Sequence, residues 1–213
     1  MRTNTLGTLS LFTAVGHRKY LTSDERRRFL NAASRSSRPE VQTLCAVLAY
    51  TGCRISEALA LTASSFDITD GFVAIRSLKK RSKLPIIREV PVPSELLELL
   101  LEVHGIDASH SGRLWTWSRS RAWQLVKQVM REAGIAPGPH ATPKGLRHGF
   151  GLHAIRCGVP VNLVQRWLGH ASMNTTAIYL QAMGREERDI AARMWERGSP
   201  MDRPTAPGQH ATL

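Results

Sequence analysis

Long apolar runs are missing from this chain. No window reaches the ~20 apolar residues that a bilayer-crossing helix needs, and the N-terminus opens on the polar Arg2, Thr3, Asn4 and Thr5. Neither membrane insertion nor secretion is supported. Cysteine is scarce as well: Cys45, Cys53 and Cys157 cannot all pair with one another and show no CxxC spacing, which excludes a disulfide framework and suits a reduced, cytoplasmic protein. Acidic residues are outnumbered, 17 Asp plus Glu against 29 Lys plus Arg, and they form no carboxylate pair or cluster suited to two magnesium ions. A GxxxxGK[ST] phosphate loop is absent, as are internal repeats and low-complexity tracts. The expectation is a protein that uses no metal, no ATP and no cofactor.

What the chain has is positive charge. A formal net charge of +12 and a pI near 10.6 favour a polyanionic partner through counterion release, nucleic acid first among them, with a merely solvated basic surface as the alternative. Its 213 residues suffice for one good core, so one main domain is expected.

Residues 1 to about 20 carry no clear period. Thr22-Ser23-Asp24-Glu25 reads as a capping box that starts a helix, continued by Phe29, Leu30 and Ala33 until Ser34 to Pro39 breaks it. Val41, Leu44, Cys45, Val47 and Leu48 then form a strongly buried helical pattern that Gly52 stops, and Arg54 to Leu61 reads as a short helix. Phe72 to Arg76 and Ile86 to Val92 read as two strands of a hairpin around the basic run Lys79-Lys80-Arg81-Ser82-Lys83. Ser94 caps a helix that ends at Gly105, and Arg119 to Ala133 is another, with Trp123, Val126 and Met130 at helical spacing. Three further helices are expected at Gly145 to Cys157, Val161 to Leu168 and Ser172 to Met183, followed by an amphipathic segment, Arg185 to Arg197. The fold class is α+β, mainly helical, with a small antiparallel β-hairpin or sheet at one edge. Residues 198–213, with three prolines, read as a disordered tail.

Chemistry concentrates in the second half of the chain. Arg147, His170 and Tyr179 follow one another there, and Arg54 stands far upstream in Thr51-Gly52-Cys53-Arg54-Ile55-Ser56-Glu57. Two guanidinium groups can bracket one phosphate, so the set suggests phosphoryl transfer to tyrosine. A phenol with a pKa of about 10 must lose its proton during attack. Planar donors from Arg54 and Arg147 can hold both non-bridging oxygens of a five-coordinate phosphorus, and His170 is placed to hydrogen-bond the same phosphate. A lysine on the hairpin can protonate the departing deoxyribose oxygen; Lys79 is the choice for that role. Singly, each has a duller reading: Arg54 as a surface helix arginine, Lys79 as a solvated turn, Tyr179 as core. His148 and His153, five apart, have the wrong spacing for two ligands on one helical face and read as packing or structural residues. Arg119, Arg121, Gln124 and Lys127 could read bases or simply contact phosphate or solvent.

The chain resembles the tyrosine recombinase (phage integrase) family from about Leu21 to Trp195. TGCRISEALAL looks like the first arginine box, with Arg54 as clamp and Glu57 as supporting acid; SLKKRSK resembles the lysine hairpin, with Lys79 or Lys80 as the acid. TPKGLRHGFGLHA is similar to the second box, giving Lys144 and Arg147 with His148 beside them, and LGHASMNTTAIY matches the third, giving His170 and the nucleophile Tyr179. The resemblance implies the tyrosine recombinase catalytic-domain fold, a 3′-phosphotyrosyl intermediate, and a homo-tetramer on two paired sites of double-stranded DNA. Two departures stand out. Lys144 occupies a position where histidine is commoner, and it can act as a base only if burial or neighbouring arginines depress its pKa. Residues 1–20 form only a short N-terminal extension, with no full core-binding domain before the catalytic domain at 21–197. That points to the short members, such as the fimbrial phase-switch invertases, or to a truncated derivative. It also makes cooperative assembly or an accessory DNA-bending protein more important. The rival expectations are a catalytically impaired DNA-binding protein of the same fold and a type IB topoisomerase-like relaxing activity.

Overall fold

The computed structural model describes residues 10–78, 86–106 and 112–180, all within the unit Met1–Ala182. Its helices are α1 (Ser23–Ser34), α2 (Pro39–Thr51), α3 (Ile55–Ala58), α4 (Ser94–His104), α5 (Arg119–Glu132), α6 (Pro143–Arg156), α7 (Val161–Leu168) and α8 (Met173–Ala177). The strands are β1 (Phe66–Asp67), β2 (Phe72–Arg76) and β3 (Ile87–Pro91). Among the described residues no helix is long and apolar enough to cross a membrane.

The α1 start is a capping box as expected: Thr22 Oγ1 accepts from the Glu25 backbone N–H at 3.2 Å, and the Glu25 carboxylate accepts from the Thr22 N–H at 2.9 Å. Arg18 adds a two-nitrogen fork onto the same carboxylate. Burial pushes the Glu25 pKa up, but the Arg18 fork and the Thr22 N–H outweigh it and hold the group at about 2.

Helix α2 is the centre of the core. Val41, Leu44, Cys45, Val47, Leu48 and Ala49 are all buried, as an apolar helix without a polar face must be, and α1, α4 and α6 pack around it. Gly52 ends it in the left-handed region at φ 60°, and a Cβ there would meet the Phe150 ring at 2.5 Å. This close approach brings the end of α2 against α6, and with it the first arginine box against the second.

The sheet has the order β1-β2-β3, antiparallel throughout. Strand pairing sets Val73 opposite Val90 and Ile75 opposite Arg88, and these four side chains form the buried face. Strand β1, two residues long, was not foreseen; its pairing with Phe72 and Val73 supplies what its own sequence does not. Trp123, at helical spacing with Val126 and Met130, does not share their burial on α5. It is 44 % exposed, because Ala122, Leu125, Val126, Val129 and Met130 already fill the buried stripe. Helix α8 stops at Ala177, so Tyr179 lies in the turn that follows it. The basic hairpin run with Lys79 and Lys80, the segment Arg185 to Arg197 and the tail all lie outside the described residues.

Candidate active site

Helix α6 carries three side chains of the site on one stripe. Lys144, Arg147, His148 and Gly151 stand at i, i+3, i+4 and i+7, so they share a face. Thr142 caps this helix, its hydroxyl accepting from the Gly145 N–H at 3.0 Å. Lys127 of α5 donates to the Ala141 carbonyl at 2.6 Å and so braces the same helix start.

Arg54, Lys144, Arg147, His148 and His170 line one cleft of about 800 Å³, together with Lys19 and Arg119. Segments far apart in sequence thus present their cations to a common space. A second hollow of about 670 Å³ lies at the sheet, but Asp67, Asp70 and Glu89 line it, and carboxylates repel a polyanion. The cationic cleft is the one suited to phosphate. No group of three or more His, Cys, Asp or Glu side chains able to hold a metal ion occurs among the described residues.

Arg147 is buried, 7 % exposed, and its guanidinium is engaged on two sides. Nη1 donates to the Gly52 carbonyl at 2.8 Å and Nη2 to the Leu168 carbonyl, which ties α6 to the last turns of α2 and α7. Burial, and then the neighbouring Arg54 charge, lower its pKa to about 10, so it stays charged at neutral pH. Arg54 precedes α3; its backbone N–H donates to Glu57 Oε2 at 2.9 Å and its Nη1 to Glu57 Oε1 at 2.7 Å. Glu57 is 1 % exposed and also receives Arg88 Nη2 at 2.7 Å. Burial pushes the Glu57 carboxyl pKa up, but the Arg88 and Arg54 partners reverse this and hold it below the usual range.

His170, in the turn after α7, has its Nδ1 2.9 Å from the Thr176 hydroxyl of α8, which fixes the ring plane. Lys144 is exposed at the cleft, so the burial invoked for it from the sequence is not found. His148 is more than a packing residue: its Nδ1 lies 3.1 Å from the Tyr179 hydroxyl. Burial, and then Lys144 and Arg147, lower its pKa to about 4, so the ring is neutral at neutral pH.

Tyr179 itself is fully buried. Its ring runs nearly parallel to that of His170, at 14° with centroids 6.4 Å apart, and lies against α6 where Gly151 leaves room. Burial raises the phenol to about 12 against the opposing charge of Arg147. In this conformation the phenol is docked behind His148 and His170 and is not presented in line to the cleft. Lys19, Arg88 and Thr176 belong to the site or its support and were not singled out from sequence.

The sequence profile of the Phage integrase family matches residues 19–185. The chain belongs to the phage integrase family. Among family relatives, the tyrosine recombinase XerD of Neisseria meningitidis serogroup B is 34 % identical over 145 residues, covering 65 % of this chain and 49 % of that protein. Tyrosine recombinase XerA of Pyrococcus furiosus is 28 % identical over 185 residues, covering 82 % and 61 %. The chain therefore spans about half to three-fifths of the length of these two curated relatives. Among solved structures of the family, XerA recombinase superposes with a TM-score of 0.67 at 28 % identity, over 84 % of this chain and 65 % of that one. The catalytic domain of bacteriophage HP1 integrase gives 0.62 at 22 % identity, over 84 % and 96 %, which extends the likeness in fold. The expected fold, mainly helical with a small antiparallel sheet, is borne out.

Proposed function

We propose that the protein cleaves and rejoins DNA strands at specific sites through a 3′-phosphotyrosyl intermediate. The observation that carries this reading is the convergence of Arg54, Lys144, Arg147 and His170 on one cleft, with the Tyr179 phenol held against His148 and stacked beside His170. A scissile phosphate entering the cleft meets the two guanidinium groups at its non-bridging oxygens, where charge builds as phosphorus becomes five-coordinate. In the tautomer whose Nδ1 accepts from the Thr176 hydroxyl, His170 donates from Nε2 to the same phosphate. Lys144 faces it from the rim.

Tyr179 turns out of its pocket to attack. Doing so exchanges a dehydrated environment beside His148 for one dominated by arginine charge, and this favours loss of the phenolic proton to water in the cleft. The phenolate oxygen bonds to phosphorus, the bond to the 5′ oxygen breaks, and Lys79, or Lys80 next to it, gives that oxygen its proton. The phosphotyrosyl link retains the energy of the broken bond, so rejoining needs no ATP. Glu57 holds Arg54, and His148 holds the resting tyrosine.

The partner is double-stranded DNA, in keeping with the net charge of +12 and with a neighbour in fold, the XerH site-specific recombinase, whose structure was solved bound to difH substrate. Action is by a homo-tetramer on two paired sites in the cytoplasm, with an accessory bending protein where the DNA must be curved. The test is incubation with a pool of nicked duplexes of randomised core sequence. Wild type yields covalent protein–DNA adduct, and Tyr179→Phe yields none. Tight binding without adduct in the wild type would make it a DNA-binding protein only. Relaxation of any plasmid by a monomer would make it a topoisomerase.

A further inference from the structure

Arg88 lies on β3, in the strand that follows the basic hairpin run, and its side chain is 4 % exposed. Each of its contacts leads to a different part of the site. Nη2 donates to Glu57 Oε2 at 2.7 Å, and the other oxygen of that carboxylate holds Arg54 at 2.7 Å. Nε donates to the Trp167 carbonyl at 2.6 Å, three residues before His170. The guanidinium also packs against Gly169, where an added Cβ would come within 3.1 Å of Nη1. Strand β3 is in turn joined to β2 at the root of the hairpin by the Ser77 N–H donating to the Ile86 carbonyl at 2.8 Å.

Stability alone is a poor account of this arrangement. Among the described residues the buried Nη1 has no hydrogen-bond partner, and a buried ion pair is commonly replaceable by apolar side chains of similar volume without loss of stability. A planar fork with donors at fixed angles is well suited to hold two acceptors on separate elements in register. We infer that Arg88 is a positioning residue: through Glu57 it sets the guanidinium of Arg54, and through the Trp167 carbonyl it holds the turn that carries His170. The strand at the root of the lysine hairpin is thereby linked to the first and third boxes by one side chain. The assignment rests on the strand-cleavage reading for the roles of Arg54 and His170.

Arg88→Lys keeps a charge for Glu57 but loses the fork that serves Glu57 and Trp167 together. In single-turnover reaction with nicked duplex at saturating protein, the variant forms adduct about 10- to 100-fold more slowly with DNA affinity unchanged. In an Arg54→Ala background the same substitution slows the reaction less, because one of the two groups it positions is gone and only the His170 turn is left to disturb. Equal slowing in both backgrounds marks general damage and overturns the inference, as does wild-type speed in the single variant. Glu57→Gln combined with Arg88→Met removes both buried charges together. It melts cooperatively and reacts as slowly as Arg88→Lys; wild-type speed in this pair also overturns the inference.

A second arm needs no catalysis. By NMR, Arg88→Lys shifts the Arg54 Nε and His170 ring resonances while Arg18 Nε, bound to Glu25 at α1, stays in place; unmoved Arg54 and His170 signals refute the assignment. If wild type forms no adduct at all, the strand-cleavage reading fails by itself, and the resonances still decide whether Arg88 positions these groups.

Discussion

Gly151→Ala tests how the resting tyrosine is stored. A Cβ at residue 151 would stand 2.6 Å from Tyr179 Cζ and 2.7 Å from Cε2, whereas ordinary contact begins at 3.4 Å. The ring is the far end of a side chain that rotates at two bonds, while Gly151 sits within α6, so the ring is what gives way. Overpacking of this kind costs about 1–3 kcal/mol, which shifts the balance between docked and released tyrosine by roughly one to two orders of magnitude. Alanine in place of glycine within a helix returns about 1 kcal/mol to the fold as a whole. The expected variant therefore melts close to wild type but holds its tyrosine loosely. With burial relieved, Tyr179 falls from about 12 toward the ordinary value of about 10. In a Tyr20→Phe, Tyr50→Phe background it is the sole tyrosine, and its ionisation is read from tyrosinate absorbance. Gly151→Ala should develop that absorbance between about pH 9 and 11, where wild type stays protonated. A variant that remains silent over this range with an unchanged melting temperature would refute docking of the ring against α6.

Arg147→Ala is expected to fail twice. It leaves the Gly52 and Leu168 carbonyls without their donor, lowering stability by about 2–5 kcal/mol in thermal or chemical melts. Adduct formation falls by about 100-fold or more at temperatures where the variant is still folded; full activity there would remove Arg147 from the clamp. Stability also depends on pH through His148. Its folded value of about 4 lies below the ordinary 6.5, so between those values the unfolded chain binds more protons and stability declines as pH falls. The contribution is fully present above about pH 6.5 and lost by about pH 4, on the order of 3 kcal/mol. Denaturant melts at pH 7 and pH 4.5 should show a smaller difference for His148→Gln than for wild type, and identical differences would contradict the burial argument.

Local signals in the sequence were good guides wherever the backbone satisfies itself. The Thr22 to Glu25 box starts α1, Gly52 stops α2, and the β-branched run Phe72 to Arg76 forms β2 with the bounds expected of it. Positions decided by distant partners were harder to read. In β3 the apolar Ile87 is 61 % exposed while Arg88 is buried, the reverse of what hydrophobicity suggests. Alternation from the buried Val90 places Arg88 inward, and Glu57 and Trp167 make that burial tolerable. Trp123 shares helical spacing with Val126 and Met130, yet smaller side chains complete the buried face. For the site, motif order pointed to Arg54, Lys144, Arg147 and His170, which share the cleft. Nothing in the motifs indicated that Tyr179 would rest fully buried against His148, since that depends on the missing Cβ of Gly151 one turn further along α6.

The two carbonyls that Arg147 holds stand at the C-terminal ends of separate helices, one in the cap that follows α2 and one in the last turn of α7, where the partial negative charge of each peptide ladder collects. A chain of this architecture that had ceased to cut anything would still need a fixed cation at that point to stay assembled. Selection on folding alone can therefore preserve this arginine through loss of activity, and its presence in a decayed descendant is no certificate of chemistry.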